Sequence, residues 1–102
     1  MSNVILEIHF HSRGPWHTQL AEACEPLANA VAKSPGLKWK IWTENPETRL
    51  AGGIYLFSNR DDAEDYLLQH RDRLEALGVT EFESHIYEVN ESLSLITRAP
   101  IT

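Results

Sequence analysis

The sequence predicts an α+β domain of the ferredoxin-like class, with an antiparallel sheet and the element order β-α-β-β-α-β. Three observations predict it. Stretches with apolar residues at every second position, typical of strands, begin the chain, occupy its middle and lie near its end. Two stretches with apolar residues three or four positions apart, typical of helices, separate them. Turn-forming residues such as Gly14-Pro15 and Gly78 lie at the junctions. With right-handed crossovers and both helices on one face, the strands take the spatial order 4-1-3-2.

The first half of the chain reads as strand, helix and strand. Residues 4–10 alternate, and one face of this strand is fully apolar: Val4, Leu6, Ile8 and Phe10. A helical stripe follows, in which Pro26 predicts a kink: Trp16, Leu20, Cys24, Leu27 and Val31. Residues 37–44 form the second strand. One of its faces carries Leu37, Trp39, Ile41 and Thr43, and the other carries Lys38, Lys40, Trp42 and Glu44.

The second half repeats this plan. Residues 54–57 form a short, wholly apolar strand, which is typical of a central position in a sheet. Before it, Gly52-Gly53 indicates a bulge, a close approach to the backbone, or a plain turn. The second helical stripe ends at Gly78 and consists of Ala63, Tyr66, Leu67, His70, Leu74 and Leu77. Residues 80–89 form the last strand, and the tail from Asn90 onward is assigned no element.

Composition narrows the function classes. The 102 residues fit one domain spanning 1–102, and a net charge of −6 without a basic cluster argues against nucleic acid or an anionic membrane as partner. One cysteine excludes an intrachain disulfide, which suits a reducing compartment. The N-terminal segment reads as a strand instead of a signal peptide, and no apolar run is long enough to span a membrane. We therefore expect a cytoplasmic protein.

The sheet face away from the helices is expected to be rich in apolar side chains. It carries Ile5 and His9, together with either Tyr55 and Phe57 or Ile54 and Leu56. An apolar face of this size needs a cover, and the predicted elements include no third helix. A second copy of the chain would supply one, so we expect a symmetric homodimer.

Several runs of the sequence resemble the YdhR family of putative mono-oxygenases: GPW, LKWKIWTE, AGGIYLF, YLLQH, RLEALGV and VNESLS. The resemblance extends from His9 through the tail. This family is part of the dimeric α+β barrel superfamily, which includes cofactor-free antibiotic-biosynthesis mono-oxygenases. The resemblance implies a dimer whose sheets meet face to face, and a pocket in each subunit between sheet and helices. It also implies oxygenase chemistry without a cofactor.

Such chemistry needs a substrate that gives electrons to oxygen itself, such as a deprotonated aromatic or quinol-like ring. The protein then has to hold the ring, take a proton and stabilise the anion. The candidate catalytic residues are His70, Trp42 and Tyr55, with His70 as base and a lysine or tyrosine steadying the anion. The candidate substrate-binding residues are Lys40, Glu44, His9, Tyr66 and Phe57. We expect Trp42 and His70 to line one pocket and Trp39 to be structural, as a core residue or a dimer contact.

Other interpretations of the same residues remain open. His70 also suits a core position, and the stem of Lys40 would cover Trp42. Glu7, His9 and His11 share a strand face, but no second cluster of ligands accompanies them, so no metal is expected. No flavin or other cofactor is expected, since no phosphate-binding loop is present. Two alternative functions are a haem-binding or haem-degrading protein with His70 as iron ligand, and a small-molecule binder without activity.

Overall fold

The computed structural model describes residues 2–102, which form one four-stranded antiparallel sheet with helices. The elements in chain order are β1 (Val4–His11), α1 (His17–Val31), β2 (Leu37–Asn45), β3 (Leu50–Phe57), α2 (Arg60–Ala76), β4 (Glu83–Glu88) and α3 (Glu91–Ile96). The sheet order is β2-β3-β1-β4, and each neighbouring pair is antiparallel. Read from the other edge this is 4-1-3-2, so the predicted ferredoxin-like fold is confirmed.

The core lies between α2 and the central strands β1 and β3. β1 contributes its predicted apolar face, and α2 contributes the buried side chains of its stripe. The buried members of the core are Val4, Leu6, Ile8, Val31, Tyr55, Phe57, Ala63, Tyr66 and Leu74. α1 meets this core near its C-terminal end, through the buried Val31 and the half-buried Leu27. Most of the remaining residues of α1 are exposed.

Local capping explains where α2 begins. The side chain of Asn59 accepts a hydrogen bond of 2.8 Å from the backbone N–H of Asp62, which satisfies one free donor of the first turn. Asp61 and Asp62 place negative charge at this N-terminus, where it is favourable. Asn59 is therefore the N-cap of α2. This start fixes which residues of α2 face the sheet.

A β-bulge in β2 corrects one prediction from the sequence. The register with β3 shifts between Leu37 and Trp39, so these two residues lie on opposite faces of the sheet. They were predicted to share a face, which is wrong, because the extra residue in a bulge reverses the alternation that follows. Beyond the bulge, Lys40 and Trp42 pair with Tyr55 and Gly53 on the helix-covered face.

Trp39 lies on the open face, opposite Leu56 of β3, and is not among the buried core residues. Its indole Nε1 donates a hydrogen bond of 2.8 Å to the carbonyl of Pro100. The carbonyl of Ile101 accepts from Asn3 Nδ2 at 3.1 Å and from Lys38 Nζ at 3.0 Å, and Ile101 is buried. The C-terminal segment thus covers one corner of the open face, which the sequence did not predict.

Some boundaries also differ from those predicted. β3 begins at Leu50, so Gly52-Gly53 lies within a strand and the plain-turn interpretation is wrong. β4 is shorter than predicted, and the tail contains α3. The remaining open face still exposes large apolar side chains, including Ile41 at 54% and Tyr87 at 50%. Within residues 2–102, no helix combines the length and the apolar character that crossing a membrane requires.

Candidate functional site

A groove of about 460 Å³ lies between α1 and the edge strand β2. Its helix side is mostly apolar and its strand side carries an indole ring; the lining residues are His17, Leu20, Ala21, Cys24, Glu25, Ala28, Trp42 and Glu44. Small-molecule sites commonly have volumes of roughly 300–1,000 Å³ and apolar walls with a few polar groups. The groove therefore has the size and lining that suit a small aromatic molecule.

Glu44 joins the two walls of the groove at its outer end. Its carboxylate accepts a hydrogen bond of 2.8 Å from the backbone N–H of His17, and the imidazole Nδ1 lies 3.6 Å from the other carboxylate oxygen. This contact ties the first residue of α1 to β2. Glu44 thus helps to hold the outer end of the groove together.

Lys40 lies on the inner side of the Trp42 wall. Its Nζ is 3.4 Å from the centroid of the Trp42 ring and 4.7 Å from that of Tyr55. Gly53 makes this position possible, because a Cβ there would lie 2.6 Å from Lys40 Cε. One glycine of the Gly-Gly pair therefore permits a close approach, as one interpretation of the sequence expected. The ammonium is held by aromatic faces, an arrangement that stabilises a cation.

Behind Lys40, three buried polar side chains form a connected cluster. The Tyr66 hydroxyl lies 3.4 Å from the Tyr55 hydroxyl and 3.3 Å from His70 Nδ1. The rings of Tyr66 and His70 are stacked, with centroids 5.3 Å apart. His70, Tyr55 and Tyr66 are 5%, 1% and 3% exposed. Since the Tyr66 hydroxyl has one proton, it donates to one neighbour and accepts from the other.

Burial decides the protonation of these groups. It lowers the pKa of Lys40 to about 7, with a further lowering from the nearby charge of Arg73. It lowers the pKa of His70 to about 4, and the cations of Lys40 and Arg73 act in the same direction. It raises the pKa of both Tyr55 and Tyr66. At neutral pH the imidazole is therefore neutral and both hydroxyls are protonated, while Lys40 is divided between amine and ammonium.

Arg73 is a functional candidate that sequence reasoning missed. It lies three residues after His70 on α2, and its Cζ is 5.3 Å from the Tyr66 ring centroid. Its Nε and Nη2 atoms are buried without a hydrogen-bond partner among the described residues. Position i+3 from His70 is the signal that could have found it, because such residues lie on the same helix face.

The structure brings together most of the residues that the sequence singled out. Lys40, Trp42, Tyr55, Tyr66 and His70 lie on the helix-covered side, with Trp42 lining the groove and His70 behind it. Phe57 is buried beside the tyrosines, its ring centroid 5.6 Å from that of Tyr66. Glu44 lies at the outer end of the groove.

His9 lies on the other side of the sheet from this cluster. Its Nε2 is 3.0 Å from Glu83 on β4, and its Nδ1 is 3.8 Å from Glu7. The cluster and groove therefore do not include it. In the stretch from residue 2 to residue 102, histidine, cysteine and acidic side chains form no group of three that could hold a metal ion.

Comparison with known proteins gives the family. Residues 5–100 match the model of a family described as "Putative mono-oxygenase ydhR". The chain belongs to the YdhR family. One solved structure similar to this YdhR-family chain is that of NE2512, a protein of unknown function from Nitrosomonas europaea. The two are 17% identical, with a TM-score of 0.63 over 88% of this chain and 91% of that one, so the likeness shows the fold. No curated protein matches the chain.

Proposed function

We propose that this YdhR-family protein is a cofactor-independent mono-oxygenase that acts on an aromatic or quinol-like small molecule bound between sheet and helices. The observation that carries the proposal is the position of Lys40, whose Nζ lies 3.4 Å from the centroid of the Trp42 ring. Its pKa of about 7 makes the amine a usable base at neutral pH, beside a wall that suits a flat ring. The family match supports the same class of reaction.

In the proposed reaction the substrate ring binds in the groove at the edge of Trp42, and the flexible Lys40 side chain turns its free amine past the indole edge to take a proton from the ring. The ammonium formed stays beside the delocalised anion and stabilises it. The anion then gives electrons to dioxygen, and a carbon–oxygen bond forms. The peroxide anion takes up a proton, and loss of the remaining C–H proton with cleavage of the O–O bond leaves a carbonyl group and water. One oxygen atom ends in the product and the other in water, so a ring CH₂ and O₂ become C=O and H₂O without an external reductant.

This proposal revises the roles inferred from the sequence. His70 was the expected base, but a pKa of about 4 makes its imidazole a much weaker base than the Lys40 amine. We therefore assign proton acceptance to Lys40. His70 instead orients Tyr66, and through it the Tyr55 hydroxyl, by the contacts of 3.3 and 3.4 Å.

Oxygen uptake with anthrone and a panel of polyphenols and quinols tests the proposal. With anthrone we expect one O₂ consumed for each new ring carbonyl, and one labelled oxygen atom in the product when ¹⁸O₂ is supplied. Anthraquinone, which is already oxidised, is the matched control and should cause no uptake. Ring binding without uptake across the panel would favour the inactive binder, and release of hydrogen peroxide in place of water would contradict mono-oxygenation.

The geometry gives the haem alternative no support at His70. An axial iron ligand needs a ring nitrogen that faces an open cavity. His70 is 5% exposed, its ring is stacked on Tyr66, and its Nδ1 lies 3.3 Å from the Tyr66 hydroxyl. The absence of a Soret shift on haem titration is the expected result.

We also propose that two copies associate through the open face of the sheet. Ile41 is 54% exposed there, although it is a large apolar side chain on a strand. The variant Ile41→Glu should therefore sediment as a monomer at micromolar concentration, whereas the unchanged protein should sediment at twice the mass of the 11.6 kDa chain. Leu68→Glu is the matched control, because Leu68 is 58% exposed on α2. A monomeric unchanged protein would contradict this proposal.

A further inference from the structure

Lys40 and Arg73 are two cations that lie against the same pair of tyrosine rings. Lys40 Nζ is 4.7 Å from the centroid of the Tyr55 ring, and Arg73 Cζ is 5.3 Å from that of the Tyr66 ring. The two tyrosine centroids are 5.0 Å apart. Among residues 2–102, no carboxylate forms an ion pair with Lys40 or Arg73. Because buried cations are normally paired, a change that introduces a negative charge would stabilise this cluster.

Of these two cations, Lys40 is the one whose charge can change. A guanidinium keeps its proton in proteins, and Arg73 Nε and Nη2 are buried without a hydrogen-bond partner in the described part of the chain. Burial, with a further contribution from the charge of Arg73, lowers the pKa of Lys40 to about 7. A large fraction of Lys40 is therefore the free amine at neutral pH. A free amine has a lone pair and acts as a nucleophile.

The surroundings of this amine favour a small and uncharged electrophile. Lys40 is half-buried, and its Nζ lies 3.4 Å from the centroid of the Trp42 ring, which is part of the groove wall. The indole therefore separates Lys40 from a ring-sized molecule in the groove unless the lysine side chain turns. Carbon dioxide is small, linear and uncharged, so it enters aromatic and apolar surroundings far more readily than an ion does. It also reacts with unprotonated amines without a catalyst.

We propose that Lys40 is a carbon dioxide-binding site, at which the free amine forms a reversible carbamate in the electrostatic field of Arg73. The lone pair of Nζ forms a bond to the carbon of CO₂, and one C=O electron pair moves to an oxygen atom. The nitrogen then releases a proton to solvent. An amine and CO₂ thus become a carbamate anion and a proton, and nothing is oxidised or reduced.

Arg73 favours the carbamate over the ammonium form of Lys40. An ammonium repels the guanidinium, whereas a carbamate is negative and attracts it. At neutral pH the neighbouring imidazole of His70 and both tyrosine hydroxyls are uncharged, so they do not cancel this attraction. Cys24 acts on the pKa of Lys40 in the opposite direction to Arg73, but its effect is smaller. The cluster therefore passes from two positive charges to one of each sign.

Carbon-13 NMR of the protein in buffer with ¹³C-labelled bicarbonate and CO₂ tests the proposal. We expect a carbamate signal that is present in the unchanged protein and missing from Lys40→Met. The α-amino group of the chain also forms a carbamate, because its pKa is about 7.7–8.0. Its signal should appear in every variant and serves as an internal reference. Lys33→Met, at an exposed lysine, is the matched control and should keep both signals.

Variants of Arg73 test its part in the site. Arg73→Met should weaken CO₂ binding at Lys40 by roughly tenfold, because the attraction to the carbamate is lost. Arg73→Lys keeps the positive charge and should restore most of the binding. Arg71→Met, on the exposed side of the same helix, should bind CO₂ as the unchanged protein does. Equal binding in Arg73→Met and the unchanged protein would contradict the stabilisation of the carbamate by Arg73.

Chemical trapping gives a second measurement that needs no variant. An alkylating oxonium reagent converts a carbamate into a stable ester, and peptide mass spectrometry then locates it. Label on Lys40 supports the proposal, and label confined to the α-amino group overturns it. Neither measurement uses a ring substrate, so the result is independent of the proposed oxygenase, which oxygen uptake in CO₂-free buffer tests by itself.

Discussion

Replacing Lys40 by methionine is expected to lower the turnover of a ring substrate by roughly 10²-fold or more, the usual contribution of a positioned base. Methionine keeps most of the length and the apolar stem of lysine, so the Trp42 wall should persist. The affinity for a neutral ring should therefore change little, and the loss should fall on kcat. Lys33→Met, at an exposed lysine that follows α1, is the matched control and should keep full activity.

The pH dependence identifies Lys40 as the base more sharply than the rate alone. Because the amine must be unprotonated to accept a proton, kcat/KM should rise between pH 6 and pH 8 with a midpoint near the Lys40 pKa of about 7. This rise should be missing from the residual activity of Lys40→Met. A variant that keeps the same rise would assign the titration to another group and contradict the mechanism.

The same substitution should increase stability, which separates a lost base from a damaged fold. The pKa of Lys40 falls from 10.5 in the unfolded chain to about 7 in the folded one. Between these values the unfolded chain binds more protons, so this residue's destabilising effect is full below pH 7 and fades as the pH rises toward 10.5. At pH 7, Lys40→Met should raise the free energy of unfolding by about 2–4 kcal/mol.

The fold could be predicted because the spacing of apolar residues indicates which side chains of a strand or helix are buried. β1 alternates without interruption, and the stripe of α2 places Ala63, Tyr66 and Leu74 in the core as predicted, whereas Leu77 at its end is 72% exposed. The structure was not predicted where the sequence lacks such periodicity. The tail packs through Ile101 and three hydrogen bonds to its carbonyls, which are contacts between distant segments that no local pattern encodes.

The candidate site was only partly predictable. Period-two alternation placed Lys40, Trp42 and Glu44 on one face but could not say which face the helices cover, since a shift of one residue reverses the assignment. The bulge after Leu37 makes that shift and brings Trp42 to the side of His70. It also puts Trp39 on the open face, opposite to Leu37, with which the alternation had grouped it.

Arg73 shows a different limit of the sequence. Because arginines are mostly exposed, the buried face of a helix is predicted from its apolar residues, and an arginine next to that face is taken to be exposed to solvent. Whether an arginine is buried depends on what packs over it. Here the guanidinium lies beside the Tyr66 ring, and its Nε and Nη2 atoms are buried without a hydrogen-bond partner among the described residues. Neither feature can be read from the spacing of residues along α2.

Acid is expected to destabilise the protein through His70. Burial lowers the pKa of this imidazole from 6.5 to about 4 in the folded protein. Between these values the unfolded chain binds more protons than the folded one, so the contribution of the neutral His70 to stability falls as the pH falls from 6.5 to 4, and this contribution is fully lost below pH 4. A difference of this size corresponds to about 2–3 kcal/mol of unfolding free energy. The tyrosines stay protonated across this window, and Lys40 stays largely cationic.

His70→Gln isolates this effect, because glutamine can still hydrogen bond to the Tyr66 hydroxyl but does not titrate. Urea denaturation at fixed protein concentration, at pH 7 and at pH 4.5, should show a markedly smaller loss of stability in this variant than in the unchanged protein. His11→Gln, at an exposed histidine that ends β1, is the control and should follow the unchanged protein. Protonation of carboxylates elsewhere destabilises the unchanged protein and both variants alike, so this effect cancels in the comparison. If His70→Gln and the unchanged protein lose the same unfolding free energy between pH 7 and pH 4.5, the imidazole is solvated enough to take a proton. The claim that His70 is buried and neutral, on which the proposed site depends, would then be wrong.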